Sequence, residues 1–368
     1  MSNFIKKIFS GGFHLFKKNN SVIGIDFGSS SIKIIQLRNE KGQAVLETYG
    51  ELSTGPYGNL AVGQVVNLPP EKLSSLLNDL FIEANVTTRD GALAIPLRSS
   101  LLVPMELPDV GEDNLDEVIP IEARKYIPVP IAEVALDWWV LPKTEAKKDG
   151  PIKTPRLEVF MVAIHKDTLR QYEQTAKLAQ VNPRFFEIET FSAMRSVLRD
   201  NRGVSAIVDI GAASTKMVIV DAGTVKLSHT INKGSQDVTL AISRSMNIPF
   251  AKAEEVKRKV GLAEKVGADD LIKVASPIVE YICAEVSRVM VDYQKKRNRS
   301  VDKVILIGGG ALLKGLKEVA TENIYAPVEF GSPFNRVEAP AFLDKVLGEI
   351  GPSFAVSIGL ALRALEEL

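Results

Sequence analysis

The chain has 368 residues, 45% of them apolar and 24% charged, and its 45 Lys+Arg balance its 45 Asp+Glu. That length exceeds one ordinary core and calls for two lobes or more, while the zero formal charge leaves no electrostatic footprint for nucleic acid or an acidic substrate. The single cysteine, Cys283 in the apolar run "VEYICAEV", excludes an internal disulfide and reads as a buried thiol suited to a reducing compartment.

In chain order, residues 1–20 form an arm in which Phe4, Ile5, Ile8, Phe9 and Phe13 recur at helical spacing among Lys6, Lys7, Lys17 and Lys18. It is either an amphipathic helix for a membrane surface or partner, or a flexible arm weakened by Gly11-Gly12; the lysines and the missing cleavage site argue against a signal peptide. No apolar run reaches the roughly 18 residues of a spanning helix. Val22–Ile25 and Ile32–Leu37 read as a hairpin turning at Gly28. Glu71–Ala84 has helical apolar spacing. From Gly91 to Ile164 come four β-like runs, "GALAIPL", "SLLVPMEL", "VALDWWVL" and "LEVFMVAI", around one helical segment near Asn114–Tyr126 and a solvated loop, "PKTEAKKDGPIKTP".

Lys166–Gln180 and Thr190–Arg199 follow as helices. A second hairpin, Ile207 to Val220, repeats the first, with "VDIGAASTK" answering "GIDFGSSSIK". Val238–Met246, Ala251–Val260 and Asp269–Lys296 are helical by period. Val304–Ile307 then reads as a strand running into Gly308, Gly309 and Gly310, and "PSFAVSIGLALRAL" as a small-residue helix. The expected organisation is a first lobe of 21–90, 166–200 and 352–368, an inserted α+β unit of 91–165, a second lobe core of 201–232 and 301–351, and a helical subdomain of 233–300.

Each hairpin turn points several backbone N–H groups at one place, a nest for phosphate. Ser29, Ser30, Ser31, Ser214 and Thr215 add hydroxyls, and Lys33 and Lys216 add point charges. Asp26 and Asp209, at strand ends, are placed to hold a hydrated Mg²⁺. Either hairpin alone is an ordinary turn, and a lone glycine triplet is an ordinary strand–helix junction. The two hairpins followed by the triplet describe a clasp for a triphosphate with room beyond it for a flat base.

These three motifs, in this order, resemble the phosphate-1, phosphate-2 and adenosine motifs of the actin-like ATPase superfamily. The segments "GIDFGSSSIKIIQL", "IPIEARKYIPVPIAEVALDWWVL", "VDIGAASTKMVIV" and "AEEVKRKVG" are similar, more narrowly, to the PilM family of type IV pilus assembly proteins, relatives of FtsA. The resemblance implies an α/β, two-lobed actin-like ATPase fold of ribonuclease H-like repeats, with a small α+β subdomain inserted in the first lobe as in FtsA. Lys166–Gln180 and Ser353–Leu365 would link the lobes.

It also implies a cytoplasmic protein, peripheral at the inner membrane, that binds ATP or ADP with Mg²⁺. Such a protein would grip the cytoplasmic N-terminal tail of the membrane protein PilN and connect to pilus motor and platform proteins. Carried over residue by residue, Asp26, Gly28, Ser29, Ser30, Ser31 and Lys33 form phosphate-1. Asp209, Gly211, Ala212 and Ser214 form phosphate-2, with Gly234 a turn near the sugar. Glu254 and Lys257 flank adenine and ribose, and Gly308, Gly309, Gly310 and Leu313 form the adenosine motif. Glu189 matches the acid near the attacking water, and Glu122, Tyr126 and Ile127 fall beside the partner groove. Ala212 and Ala213 stand where many relatives have glycine; their β-methyls should crowd the turn, which implies slow turnover at most.

Bland readings stand beside these roles: Glu254 and Lys257 as a solvated helix face, and Glu189 as an acid favoured at a helix N-terminus. Three other functions remain open, namely a sugar kinase without its pocket signature, a chaperone-like ATPase without a downstream domain, and an FtsA-like filament without its terminal membrane helix. His14, His165 and His229 lack metal-site spacing. The cluster "KKRNR", Lys295 to Arg299, reads as a solvated helix end. Trp138 and Trp139 should face opposite sides of a strand.

Overall fold

The computed structural model describes residues 20–108, 111, 114–141, 156–199, 203–262 and 269–368. The amphipathic arm and the "PKTEAKKDGPIKTP" loop lie outside them. The first sheet joins β1 (Ser21–Phe27), β2 (Ser31–Glu40), β3 (Gln43–Ser53), β4 (Asp90–Ile95) and β8 (Asn182–Ile188) in the order β3-β2-β1-β4-β8. The second joins β9 (Val204–Ile210), β10 (Thr215–Asp221), β11 (Thr224–Ile231), β12 (Lys303–Ile307) and β13 (Val328–Phe330) in the matching order β11-β10-β9-β12-β13. In both, an antiparallel meander is extended by two parallel strands. The repeat seen in two short motifs is thus a repeat of whole lobes.

β1 and β4 are apolar along nearly their whole length, because central strands in such sheets are covered on both faces. That property misleads a reading by composition. The run at Gly91–Ile95, expected in the inserted unit, is instead β4 at the heart of the first sheet, parallel to β1 and β8. The insertion's own sheet is β5 (Ser100–Pro108), β7 (Arg156–His165) and β6 (Val134–Val140), covered by α2 (Leu115–Ala123). β3, β8 and β11 were not distinguished by pattern.

Two helices lie between the sheets, α4 (Glu189–Val197) and α10 (Ala355–Glu366). Gly359 brings them together: a Cβ there would stand 1.8 Å from the Ser192 carbonyl oxygen, so only glycine permits this approach. α3 (Lys166–Leu178) does not link the lobes as expected; it packs on α1 (Pro70–Glu83) at the outer side of the first sheet. The run Ala341–Glu366 is long and apolar enough to cross a membrane by length and composition, contrary to the expectation, but 72% of its 18-residue apolar window is buried inside the protein. Cys283 is buried on α7 (Asp269–Arg297), and its thiol is pushed up to about 11, chiefly by burial. Trp139 stacks on Phe160 in the central core, while Trp138 packs in the insertion core, so the two do face opposite ways.

The end of β8 supplies the strongest polar tie. Glu187 is buried and accepts from Arg195 of α4 and Arg363 of α10, each at 2.8 Å. The Arg363 guanidinium also lies 4.0 Å over the Phe185 ring. Burial pushes the Glu187 carboxyl up, but Arg195, Arg363 and Ser192 together hold it below its ordinary value. Its stabilising contribution is therefore complete above pH 4.5 and is lost as pH falls through the lower folded value. Glu187→Gln should cost about 3–5 kcal/mol, since it leaves the buried Arg363 guanidinium and the partly buried Arg195 guanidinium short of an anion. Thermal melts from pH 7 to pH 3 should show the gap between wild type and variant closing with acid.

Candidate functional site

The turns of the two hairpins face each other across a cleft of about 340 Å³. Asp26, Gly28, Ser29, Ser30, Ser31 and Lys33 line one side, and Asp209, Gly211 and Ala212 the other. Gly308, Gly309, Gly310 and Leu313 close one end, with Glu254 and Lys257 beside them, and Glu189 lies at the floor. The structure thus gathers into one cavity nearly every residue singled out for nucleotide. Two do not line it. The Ser214 carbonyl accepts from the Gly211 N–H at 3.0 Å and closes the turn. Gly234 lies behind, its N–H donating to Asp237 at the start of α5 (Ser235–Met246). Neither Ala212 nor Ala213 has a positive φ, so alanine takes this turn without the crowding expected of it.

Both lysines are partnered. Lys33 Nζ donates to Ser31 Oγ at 2.7 Å and pairs with Glu51 at 3.0 Å. The β2–β3 register sets Lys33 opposite Glu51. Burial raises the Glu51 carboxyl, and Lys33 with Ser31 more than reverses it. Lys216 Nζ lies 2.9 Å from Glu189 and 3.5 Å from Asp209, joining the second sheet to the start of α4. Burial opposes its charge, but Glu189 and Asp209 raise its pKa well above the ordinary lysine value.

Asp26 differs. It is buried, no side chain among the described residues donates a hydrogen bond to it, and desolvation pushes its carboxyl up to about 7 against the pull of Lys33. Among the described residues no three His, Cys, Asp or Glu side chains gather to hold a metal. Asp26 and Asp209 both line the cleft, and one or two carboxylates are as many as Mg²⁺ commonly takes from a protein, since the ion keeps much of its water shell.

Glu254 and Lys257, on α6 (Phe250–Val260), are buried and 2.6 Å apart, so the reading as a solvated face fails. Thr239 of α5 donates to Glu254 at 2.6 Å and accepts from Lys257 at 2.9 Å. The first lobe reaches this corner too, as the Val65 N–H donates to Gln236 at 2.6 Å. At the glycine turn Gly308 has φ +87 and its Cβ would strike Asp209, whereas a Cβ on Gly309 would meet nothing within 4 Å. Gly309 is thus open toward a ligand and unconstrained by the fold.

Several cleft residues escaped the motif reading: Glu51, Gly63, Ser235, Arg258 and the segment from Pro352 to Val356. They come from five separate stretches and carry no local signature. In the inserted unit, Tyr126 is exposed, Glu122 pairs with Lys125 at 2.6 Å, and Ile127 is buried in the insertion core and cannot face a partner. Ile121, not singled out, is exposed beside them.

An Asp whose folded pKa of about 7 exceeds its unfolded 3.8 costs stability as pH rises between those values. Asp26→Asn removes that cost. The ligand-free variant should melt higher than wild type above pH 7, by up to about 4 kcal/mol, with the gain vanishing near pH 4. Paired melts across that range check it.

The family described as type IV pilus assembly protein PilM matches residues 24–365. Cell division protein FtsA of Pseudomonas aeruginosa is 23% identical over 385 residues, covering 94% of this chain and 89% of its own. A solved PilM-PilN type IV pilus biogenesis complex superposes with a TM-score of 0.79 at 26% identity, covering 94% of this chain and 98% of that one. MreB 5 of Spiroplasma citri, bound to AMPPNP, superposes at 0.53 with 12% identity over 95% of this chain and 98% of that one, a likeness of fold. The fold is therefore the actin-like ATPase fold, and the chain belongs to the PilM family of type IV pilus assembly proteins.

Proposed function

We propose that this pilus assembly component is a nucleotide-loaded adaptor: it holds ATP or ADP with Mg²⁺ between its lobes and binds the cytoplasmic N-terminal tail of PilN. The observation that carries the reading is the pair of hairpin turns facing one cleft, with an open Gly309 beside them. The turn N–H groups and Ser29 to Ser31 suit the phosphates. Gly308 to Gly310 and Leu313 suit the base, with Glu254 and Lys257 at the sugar. Asp26 and Asp209 face the hydrated metal, which would neutralise phosphate charge. Each lobe supplies part of the clasp, so bound nucleotide would fix their relative position.

The partner reading is supported by the likeness to the PilM-PilN complex and by Ile121 and Tyr126, exposed on the inserted unit. A peripheral cytoplasmic place at the inner membrane follows from such a partner, as does a link onward to motor and platform proteins.

Gly309→Ala should leave the melting temperature of the ligand-free protein within the range of a neutral surface change, about 0.5 kcal/mol, and weaken ATP binding at least about tenfold by filling the space beside the base. Calorimetry on both proteins checks this, and unchanged affinity would refute the site. Tyr126→Asp should weaken capture of a PilN tail peptide by about tenfold or more while ATP binding persists. A wild-type chain that ignores the peptide at high micromolar concentration would end the partner reading.

A further inference from the structure

Glu189 is held through both of its carboxylate oxygens. The Leu97 N–H donates to one carboxylate oxygen at 2.6 Å and Lys216 Nζ to the other at 2.9 Å, and the side chain is only 5% exposed. Lys216 is not a mobile arm. It stands on β10 directly opposite Asp209 of β9, whose carboxylate it also approaches at 3.5 Å. The sequence offered this lysine as a free cation for phosphate. In the fold it sits instead among carboxylates that line the cleft.

Building on the nucleotide reading above, we infer that Lys216 is a positioning residue that restrains hydrolysis by holding Glu189 as a counter-ion instead of a base. Hydrolysis needs a water oxygen to attack the terminal phosphorus while the water's proton passes to a carboxylate. The bond from that phosphorus to the bridging oxygen breaks, its electron pair stays on the nucleoside diphosphate, and the proton then moves on to phosphate. A carboxylate tied to an ammonium through one oxygen and to a backbone N–H through the other is held in a fixed orientation and is not free to turn toward that water. The same ammonium offsets one negative charge beside the polyphosphate, so it also lowers the dependence of binding on Mg²⁺.

Lys216→Met frees Glu189 and exposes its charge and that of Asp209 to the ligand. Calorimetry with ATP in EDTA should show affinity falling about tenfold, and single-turnover hydrolysis with Mg²⁺ should rise at least about tenfold. Lys216→Met combined with Glu189→Gln should lose the gain in hydrolysis. Glu189→Gln alone keeps an oxygen for the Leu97 N–H and releases Lys216 toward phosphate, so ATP affinity in EDTA should rise about tenfold. That variant decides the matter if Lys216→Met fails to fold, and an unchanged or lower affinity overturns the proposal. If wild type binds ATP and Lys216→Met alters neither quantity, the restraint is wrong and the nucleotide reading stands. If wild type binds no ATP, both fall.

Discussion

Two carboxylates that must be satisfied in the interior organise this protein. Glu187 closes β8 and Glu189 opens α4, and a buried carboxylate is tolerable only with cations and donors around it. Glu187 takes Arg195 and Arg363, which fixes α10 against α4. Glu189 takes Lys216 from the second sheet and the N–H of Leu97 at the entry to the inserted unit. Within three residues the chain ties together both sheets, both crossing helices and the insertion. The cleft is the space left above that tie.

The cleft's chemistry follows from which charges the fold has already paired. Lys33 answers Glu51, Lys216 answers Glu189 and Asp209, and Lys257 with Arg258 answers Glu254. Burial pushes the Asp26 carboxyl up to about 7. A site in this condition is arranged to receive a polyanion with its cation, since those bring the charge the protein has not matched internally. On the function proposed above, holding nucleotide and turning it over slowly would both follow from that one charge arrangement, as suits an adaptor.

Much of this was legible in the sequence, for identifiable reasons. The hairpins, the glycine triplet and the helices are local patterns of spacing and residue type, and they gave the lobes and most of the cleft. What stayed hidden depended on register and long-range contact. Nothing local says that Glu51 stands across from Lys33, or that Lys216 reaches Glu189. β4 was assigned to the insertion because a strand buried on both faces shows an apolar run without alternation, whichever sheet it belongs to. The resemblance puts Ile127 with Glu122 and Tyr126 beside the partner groove, but a shared segment does not tell which of its side chains turn inward, and Ile127 lies in the insertion core. The alanines of the second turn suggested crowding that its backbone geometry does not impose.

The central claim is that the two lobes share one nucleotide. Native mass spectrometry tests it most directly, on the protein as purified and again after stripping and exposure to ATP with Mg²⁺. The account predicts one nucleoside di- or triphosphate per chain, lost on stripping and restored by ATP. A bare chain in both preparations would contradict it.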